Sequence, residues 1–181
     1  IYDFNQLPPS RQSKEAPQMI KNIFGKTGEN VWVEAPFHCD YGWNIEVGEN
    51  FYSNYNLTIL DVGKVTCGKN VQIAPNVSIY TAGHPVHPDS RNSGYEYGIP
   101  VTVGDNVWIG GNTVILPGVT VGSNVVIGAG SVVSKDIPDN TIAAGNPCKV
   151  IREITDEDRI YYFKKQKFDD EAWEEVKNKN K

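Results

Sequence analysis

Two of the three histidines in this 181-residue chain, His84 and His87, lie in one segment at about 81–100 that is rich in proline and aromatic residues. A six-residue repeat lies on both sides of this segment. Neither histidine falls at a position of that repeat, so neither is expected to fill the core. A neutral imidazole can take a proton near neutral pH, which makes a histidine in such a segment a candidate general base. A loop of this length inside a compact domain is also unusual unless it is functional or disordered.

The elements that must position these histidines come from a six-residue repeat. Its first position is aliphatic in all but two copies, and in order it holds Val47, Ser53, Ile59, Cys67, Ile73, Ile79, Val103, Ile109, Ile115, Val121, Ile127 and Val133. Its fourth position is Asn or Gly, at Asn50, Asn56, Asn70, Asn76, Asn106, Asn112, Gly118, Asn124 and Gly130. Asn and Gly are the residues that tolerate positive φ. Each repeat is therefore an extended piece and a sharp corner, and three repeats make one triangular coil.

The spacing of the repeats indicates that the coils stack. Val103 and Val121 are one coil of 18 residues apart, whereas Val47 and Cys67 are 20 apart, a coil with a two-residue bulge. The interval from Cys67 to Val103 is 36 residues, which is one coil and an 18-residue excursion. A period of six fits neither an α-helix nor a simple alternating strand, and stacked coils bury their aliphatic residues against one another. The repeat predicts a mainly β fold, a parallel β-helix.

Three regions are expected along the chain. Residues 1–30 should form an N-terminal segment with a helix, residues 31–153 the β-helix with its excursion loop at about 81–100, and residues 154–181 a C-terminal helix and tail.

The flanking helices have separate signals. Apolar residues at helical spacing predict a helix over about 10–24, which Pro17 should shorten or kink. Thr155 followed by acidic residues predicts the start of a second helix. The tail, 168–181, has few apolar residues, so we expect it to be frayed or to depend on a partner.

The composition argues against several kinds of partner and structural site. A formal net charge of −5 argues against nucleic acid or an anionic membrane as a partner. Three widely spaced cysteines form no Cys-x-x-Cys or Cys/His cluster, so neither a disulfide framework nor a structural zinc site is predicted. The chain has no apolar run that could span a bilayer and no signal-peptide pattern, which favours the cytoplasm, although it does not begin with Met.

Nearly the whole chain resembles the maltose and galactoside O-acetyltransferases of the hexapeptide-repeat superfamily. The similar runs are 1–5, 39–42, 53–56, 84–87, 107–111, 117–120, 128–131 and 144–152. The resemblance implies a left-handed β-helix, against the usual right-handed crossover. It also implies a homotrimer with active sites between neighbouring subunits.

The resemblance implies that acetyl-CoA is the co-substrate, that a hydroxyl of maltose, glucose or a galactoside is the acceptor, and that no metal is required. It makes His84 the general base and His87 a structural residue of the loop. Gly111 matches a position whose backbone N–H can stabilise an oxyanion, and Ala129 matches a groove position that contacts the cofactor. Further cofactor positions are matched by Ser134, Lys135, Lys149 and Arg152. No Ser, Cys or Lys stands in a nucleophile motif, which favours direct transfer over an acyl-enzyme.

The acceptor positions implied by the resemblance are Asp40, Asn54, Glu96 and Trp108. Val62 stands where the galactoside enzymes have an acid, and Glu96 where they have Met. Asp61 either replaces the missing acid or forms a turn. Trp108 either lies near the site or is an exposed aromatic residue at a subunit contact.

Three alternatives remain at this point. The chain could be another acetyl-CoA enzyme of the superfamily, acting on an antibiotic, serine or a nucleotide sugar. It could be a metal enzyme similar to the γ-class carbonic anhydrases, but these need three histidine ligands, and the spacing of His38, His84 and His87 does not match theirs. It could be a non-catalytic trimeric scaffold, which would leave the excursion and the nearby cations unexplained.

Overall fold

A computed structural model describes residues 1–179 of the chain. Its helices are α1 (Tyr2–Asn5), α2 (Pro9–Ile23), α3 (Pro88–Asn92) and α4 (Asp170–Lys179), with a 3-10 helix over Asp156–Ile160. Its strands are β1 (Val31–Val33), β2 (Phe37–Cys39), β3 (Ile45–Val47), β4 (Phe51–Ser53), β5 (Leu57–Leu60), β6 (Val65–Cys67), β7 (Gln72–Ile73), β8 (Ser78–Tyr80), β9 (Ala82–Gly83), β10 (Tyr97–Gly98), β11 (Val101–Val103), β12 (Trp108–Ile109), β13 (Val114–Ile115), β14 (Thr120–Val121), β15 (Val126–Ile127), β16 (Val132–Val133), β17 (Thr141–Ala144), β18 (Lys149–Glu153), β19 (Tyr161–Phe163) and β20 (Gln166–Lys167).

Most of the strands form three parallel sheets that are the sides of a triangular prism. Sheet I contains β3, β6, β11 and β14; sheet II contains β1, β4, β7, β12, β15 and β17; sheet III contains β2, β5, β8, β13 and β16. A complete coil places one strand in each sheet, and successive coils pair in parallel. The β-helix predicted from the six-residue period is confirmed.

The core is the stack of first-position residues. All twelve are buried, and none is more than 4% exposed, including the polar Ser53. The pairing also matches the spacing of the sequence, because Cys67 pairs with Val47 on one side and with Val103 on the other, and Val103 pairs with Val121. The excursion therefore leaves and rejoins the prism without changing the register of the coils.

The corner between sheets I and II, the asparagine corner, is held by a ladder of side-chain amides. Each amide donates to the next at 2.8–2.9 Å, along Asn30, Asn50, Asn70, Asn106, Asn124 and Asn140. All nine predicted Asn and Gly corner residues have positive φ, between 56° and 82°. The corner chemistry inferred from the sequence is thus observed throughout the repeat.

The N-terminal helices cover the first coil. In α2, Ala16 and Ile20 are buried against it. The helix runs for 15 residues and continues past Pro17, so the expected shortening does not occur. Burial of its apolar side compensates for the hydrogen bond that proline cannot donate.

The C-terminal region agrees with the expectation in part, because a helix does begin after Thr155. The residues after Thr155 form a short 3-10 helix, followed by the antiparallel hairpin β19–β20. The tail that was expected to be frayed contains α4, which packs through a row of aromatic rings, Tyr162, Phe168 and Trp173. Residues 180–181 of that tail lie outside the described residues. Within 1–179, no helix is both long and apolar enough to cross a membrane.

Candidate active site

The excursion is an ordered hairpin with a short helix at its tip. Strand β9 pairs with β10 in antiparallel register, with Gly83 opposite Tyr97. The Tyr97 ring lies directly over Gly83, because a Cβ on that glycine would come within 2.5 Å of ring atoms. His84, which follows β9, is therefore brought opposite Tyr95 and Glu96, which precede β10.

The hydrogen bond of His84 defines which ring nitrogen can act as a base. Nδ1 lies 3.0 Å from the carbonyl oxygen of Tyr95. A carbonyl oxygen only accepts, so Nδ1 carries a hydrogen, and in the neutral form of the ring Nε2 therefore keeps its lone pair. Nε2 lies 3.9 Å from Oε1 of Glu96, and the His84 side chain is about half exposed. The neutral imidazole thus offers a basic nitrogen to solvent, with a carboxylate nearby.

The second histidine supports the loop. Nδ1 of His87 accepts the backbone N–H of Asp89 at 3.2 Å, at the start of α3. Arg91 donates to the carbonyl oxygens of Pro85 and Val86, which ties α3 back to the chain before it. His87 thus contacts the start of α3 within the loop.

Asp40 lies at the same corner of the prism as the excursion. The pKa of its carboxyl is raised from the usual value, first by partial burial and then by the charges of Asp61 and Glu96. Asp61 is fully buried and accepts the N–H groups of Asp40, Tyr41 and Gly42 at 3.0, 2.9 and 2.7 Å. Of the two roles left open for Asp61, the structure supports turn formation. The sequence could not show this, because the three donors are about 20 residues away.

Eight of the eleven predicted site residues fall into two groups at opposite edges of sheet III, and the other three, Trp108, Lys149 and Arg152, lie on β12 and β18. The corner between sheets III and I, the loop corner, carries the base and part of the acceptor and cofactor sets: Asp40, His84, Glu96, Ser134 and Lys135. The corner between sheets II and III, the glycine corner, carries Asn54, Gly111 and Ala129. About six extended residues, or about 20 Å, of sheet III separate the two corners.

The glycine corner exposes two backbone donors. The N–H of Gly130 donates to the carbonyl oxygen of Gly111 at 2.8 Å, so adjacent coils stack closely here. Gly110 permits this approach, since a Cβ on it would lie 2.5 Å from the Ala129 nitrogen. Within residues 1–179, the N–H groups of Gly111 and Ala129 have no hydrogen-bond acceptor. Both are therefore available to a bound carbonyl or amide group.

Cations lie near both corners. Lys149 begins β18 and pairs with Ala144 above the glycine corner, and Lys135 follows β16 at the loop corner. In the described part of the chain neither lysine makes an ion pair. Arg152 is already engaged, since its guanidinium donates to both Asp158 oxygens at 2.7 and 2.6 Å and holds the pKa of that carboxyl well below its usual range.

Two acceptor candidates are Asn54, at the glycine corner, and Trp108, on the strand that leads to it. The side-chain oxygen of Asn54 accepts the N–H of Tyr55 at 2.8 Å, which leaves its amide N–H₂ free to donate. Trp108 lies on β12 and is 55% exposed, one residue before the buried Ile109 that leads into the corner. A polar group and a large ring are thus presented outside the prism.

A metal site is not found among the described residues. Within 1–179, no three His, Cys, Asp or Glu side chains are grouped closely enough to hold a metal ion. His38 lies on β2, paired with Thr58 of the next coil.

The chain is similar to known proteins in both sequence and structure. The family described as bacterial transferase hexapeptide (six repeats) matches residues 100–135. The galactoside O-acetyltransferase of Escherichia coli (strain K12) is 55% identical over 167 residues, covering 92% of this chain and 82% of that protein.

Two solved structures are similar over most of the chain. A galactoside acetyltransferase in complex with coenzyme A has a TM-score of 0.90 and 55% identity, with 93% of this chain and 84% of that chain covered. A maltose O-acetyltransferase from Clostridium difficile 630 has a TM-score of 0.83 and 54% identity, with 86% and 82% covered. With its excursion, its stacked coils and these relatives, the chain belongs to the maltose and galactoside O-acetyltransferase family of hexapeptide-repeat acetyltransferases.

Proposed function

We propose that this O-acetyltransferase moves acetyl from acetyl-CoA to a hydroxyl of a small sugar (maltose, glucose or a galactoside) with His84 as the general base. The observation that carries the proposal is the 3.0 Å contact of His84 Nδ1 with the Tyr95 carbonyl oxygen, which leaves Nε2 free to take a proton. A sugar hydroxyl has a pKa far above 7 and attacks a thioester poorly without such help. General-base assistance contributes roughly 10²–10⁴-fold in rate.

The chain's own groups account for each proton and charge in a direct transfer. Nε2 of His84 takes the hydroxyl proton as the oxygen bonds to the thioester carbonyl carbon. The carboxylate of Glu96 stabilises the imidazolium that results, because opposite charges attract. The N–H of Gly111 donates to the developing oxyanion. When the C–S bond breaks, the imidazolium returns its proton to the leaving thiolate.

A complete site requires residues from both edges of sheet III, which one prism holds about 20 Å apart. We propose a homotrimer in which the loop corner of one subunit faces the glycine corner of its neighbour. His84 would then meet Gly111 across the subunit boundary. Isolated prisms would carry two incomplete half-sites.

For CoA, Lys135 and Lys149, which make no ion pair within residues 1–179, fit the phosphates, and Ser134 and the Ala129 N–H fit polar groups of the pantetheine arm. Arg152 keeps unused N–H donors beside its contact with Asp158, since a guanidinium has five. The acceptor hydroxyls would be bound by Asp40 and Asn54, with Glu96 and Trp108 at the edge of the site. We place the reaction in the cytoplasm, where acetyl-CoA is available.

The test is release of free CoA thiol from acetyl-CoA with a panel of acceptors: maltose, glucose, galactosides, serine and an antibiotic. The proposal expects sugar-dependent turnover that exceeds the rate without acceptor. Turnover with serine or the antibiotic alone would favour the alternative acceptors, and no turnover with any acceptor would favour a non-catalytic scaffold.

A further inference from the structure

We propose that Asp61 is a positioning residue for acceptor binding: its buried carboxylate holds the turn 40–42 so that Asp40 is presented to the sugar. This inference rests on the proposed function, because it assumes that Asp40 contacts the acceptor. Asp61 is fully buried, so no ligand can reach it. Its effect on acceptor affinity is therefore indirect, through the position of Asp40.

The carboxylate of Asp61 accepts the three consecutive N–H groups of the turn. One carboxylate oxygen accepts the N–H groups of Asp40 and Tyr41, and the other accepts that of Gly42 at 2.7 Å. On the far side of the turn, the side chain of Asn44 donates to the Asp61 carbonyl oxygen at 2.8 Å. The turn is thereby tied to the next coil at both ends. A buried carboxylate needs donors of this kind to offset the loss of hydration.

The turn itself would not keep this shape by local preference alone. Gly42 has a φ of +86°, and its missing side chain lets the Ile23 carbonyl oxygen approach to 2.7 Å of where a Cβ would lie. The turn exposes Asp40 and, on either side of Gly42, the rings of Tyr41 and Trp43, whose centroids are 5.0 Å apart. If the three N–H groups lost their acceptor, Asp40 could move while the aliphatic core of the coil stayed in place.

Exposed corner carboxylates that each accept one backbone N–H group occur where no ligand is proposed, and they supply controls. Asp105 accepts the N–H of Lys69 at 2.7 Å, and Asp139 accepts the N–H of Ser123 at 2.7 Å. Both lie at the asparagine corner, which sheet I separates from the excursion. A substitution at Asp139 therefore measures the structural cost of losing a corner carboxylate without touching the acceptor turn.

The experiment compares steady-state kinetics of the wild-type protein with those of Asp61→Asn, Asn44→Ala and Asp139→Asn, on the best sugar of the panel. An amide in place of the carboxylate keeps one acceptor oxygen and sets an N–H₂ group against the Gly42 N–H. Since hydrogen bonds to charged groups are stronger than those to neutral groups, we expect Asp61→Asn to raise the acceptor KM about 10-fold or more. The KM for acetyl-CoA should stay within about two-fold, and Asp139→Asn should match the wild type in both constants.

Each outcome decides the inference. An acceptor KM for Asp61→Asn equal to that of the wild type would overturn it, as would an equal rise in Asp139→Asn. If Asp61→Asn does not fold, Asn44→Ala takes its place: a raised acceptor KM supports the inference and an unchanged one overturns it. Absence of turnover in the wild-type protein with every sugar contradicts the proposed function itself, and it is recognised before any substitution is made.

Discussion

His84 and Glu96 face each other across the hairpin β9–β10, with Nε2 of the imidazole 3.9 Å from Oε1 of the carboxylate. The distance is too long for a strong hydrogen bond, and a carboxylate only accepts, so the lone pair of Nε2 stays open to a hydroxyl. It is short enough to stabilise a positive charge on the ring. The pair is therefore arranged for a base that becomes charged during the reaction.

Glu96→Gln tests this arrangement, because it removes the charge and keeps the shape. We expect kcat to fall about 10-fold, since the imidazolium formed in the transition state loses its partner. The KM for acetyl-CoA should not change. Steady-state kinetics with saturating acceptor measure the effect, and a kcat equal to that of the wild type would remove Glu96 from the mechanism.

Acceptor affinity should depend on pH through Asp40. Because the pKa of this carboxyl is raised by burial, Asp61 and Glu96, it gains a proton at a higher pH than an ordinary Asp. A protonated Asp40 no longer accepts two hydroxyl hydrogen bonds, so the acceptor KM should rise as the pH falls through that raised pKa. The KM is measured between about pH 4 and pH 7.

Glu96→Gln removes one of the charges that raise the pKa of Asp40 and should move the rise in KM to lower pH. In Asp40→Asn the KM should be high at every pH in this range. A pH profile of Asp40→Asn that matches the wild-type profile would show that another group titrates.

Gly83→Ala should disturb the hairpin that carries His84. The new Cβ would lie 2.5 Å from the Tyr97 ring, so the ring must move and the His84–Tyr95 contact with it. We expect kcat to fall by about 10-fold or more, since a base misplaced by about 1 Å can lose about 10²-fold.

Gly94→Ala is the matched control for this loop. Gly94 has open space around its Cβ position but a φ of +83°, so the substitution strains the backbone without displacing Tyr97. It should cost about 1 kcal/mol of stability and leave kcat close to the wild-type value. Equal losses of kcat in the two variants would refute the packing argument.

Substitutions at the asparagine corner can separate two contributions to stability, that of the side-chain hydrogen bonds and that of the backbone conformation. Asn106 bonds Asn70 and Asn124 through its side chain and has a φ of 56°. Asn106→Gly removes only the side-chain bonds, whereas Asn106→Ala also places an alanine in the left-handed region. We expect Asn106→Ala to be less stable than Asn106→Gly by about 1 kcal/mol. Thermal unfolding of the two variants measures this difference, and the reverse order of melting temperatures would contradict it.

Most of the coil architecture could be predicted from the sequence because each repeat contains both its buried aliphatic residue and its corner residue. An aliphatic residue every six positions has to be buried, and an Asn such as Asn106 adopts positive φ at low cost. The register of the strands could be predicted from the number of residues in a coil. A coil of 18 residues pairs Val121 with Val103, whatever the intervening residues are.

The parts that could not be predicted depend on contacts between residues that are distant in sequence. The burial of α2 keeps it helical past Pro17, and a stack of aromatic rings orders α4. The role of Asp61 depends on three N–H groups from the preceding coil. The separation of the site residues between two corners also follows only from knowing which sheet each strand joins.

The general base is tested most directly by His84→Ala, with turnover and acetyl-CoA binding measured on the same preparation. We predict a loss of about 10²–10⁴-fold in kcat with the best sugar, while calorimetry shows acetyl-CoA affinity close to that of the wild type. His38→Ala, on β2 and outside both corners, serves as the control and should keep its turnover. Turnover by His84→Ala at the wild-type rate would contradict the central claim that His84 is the base.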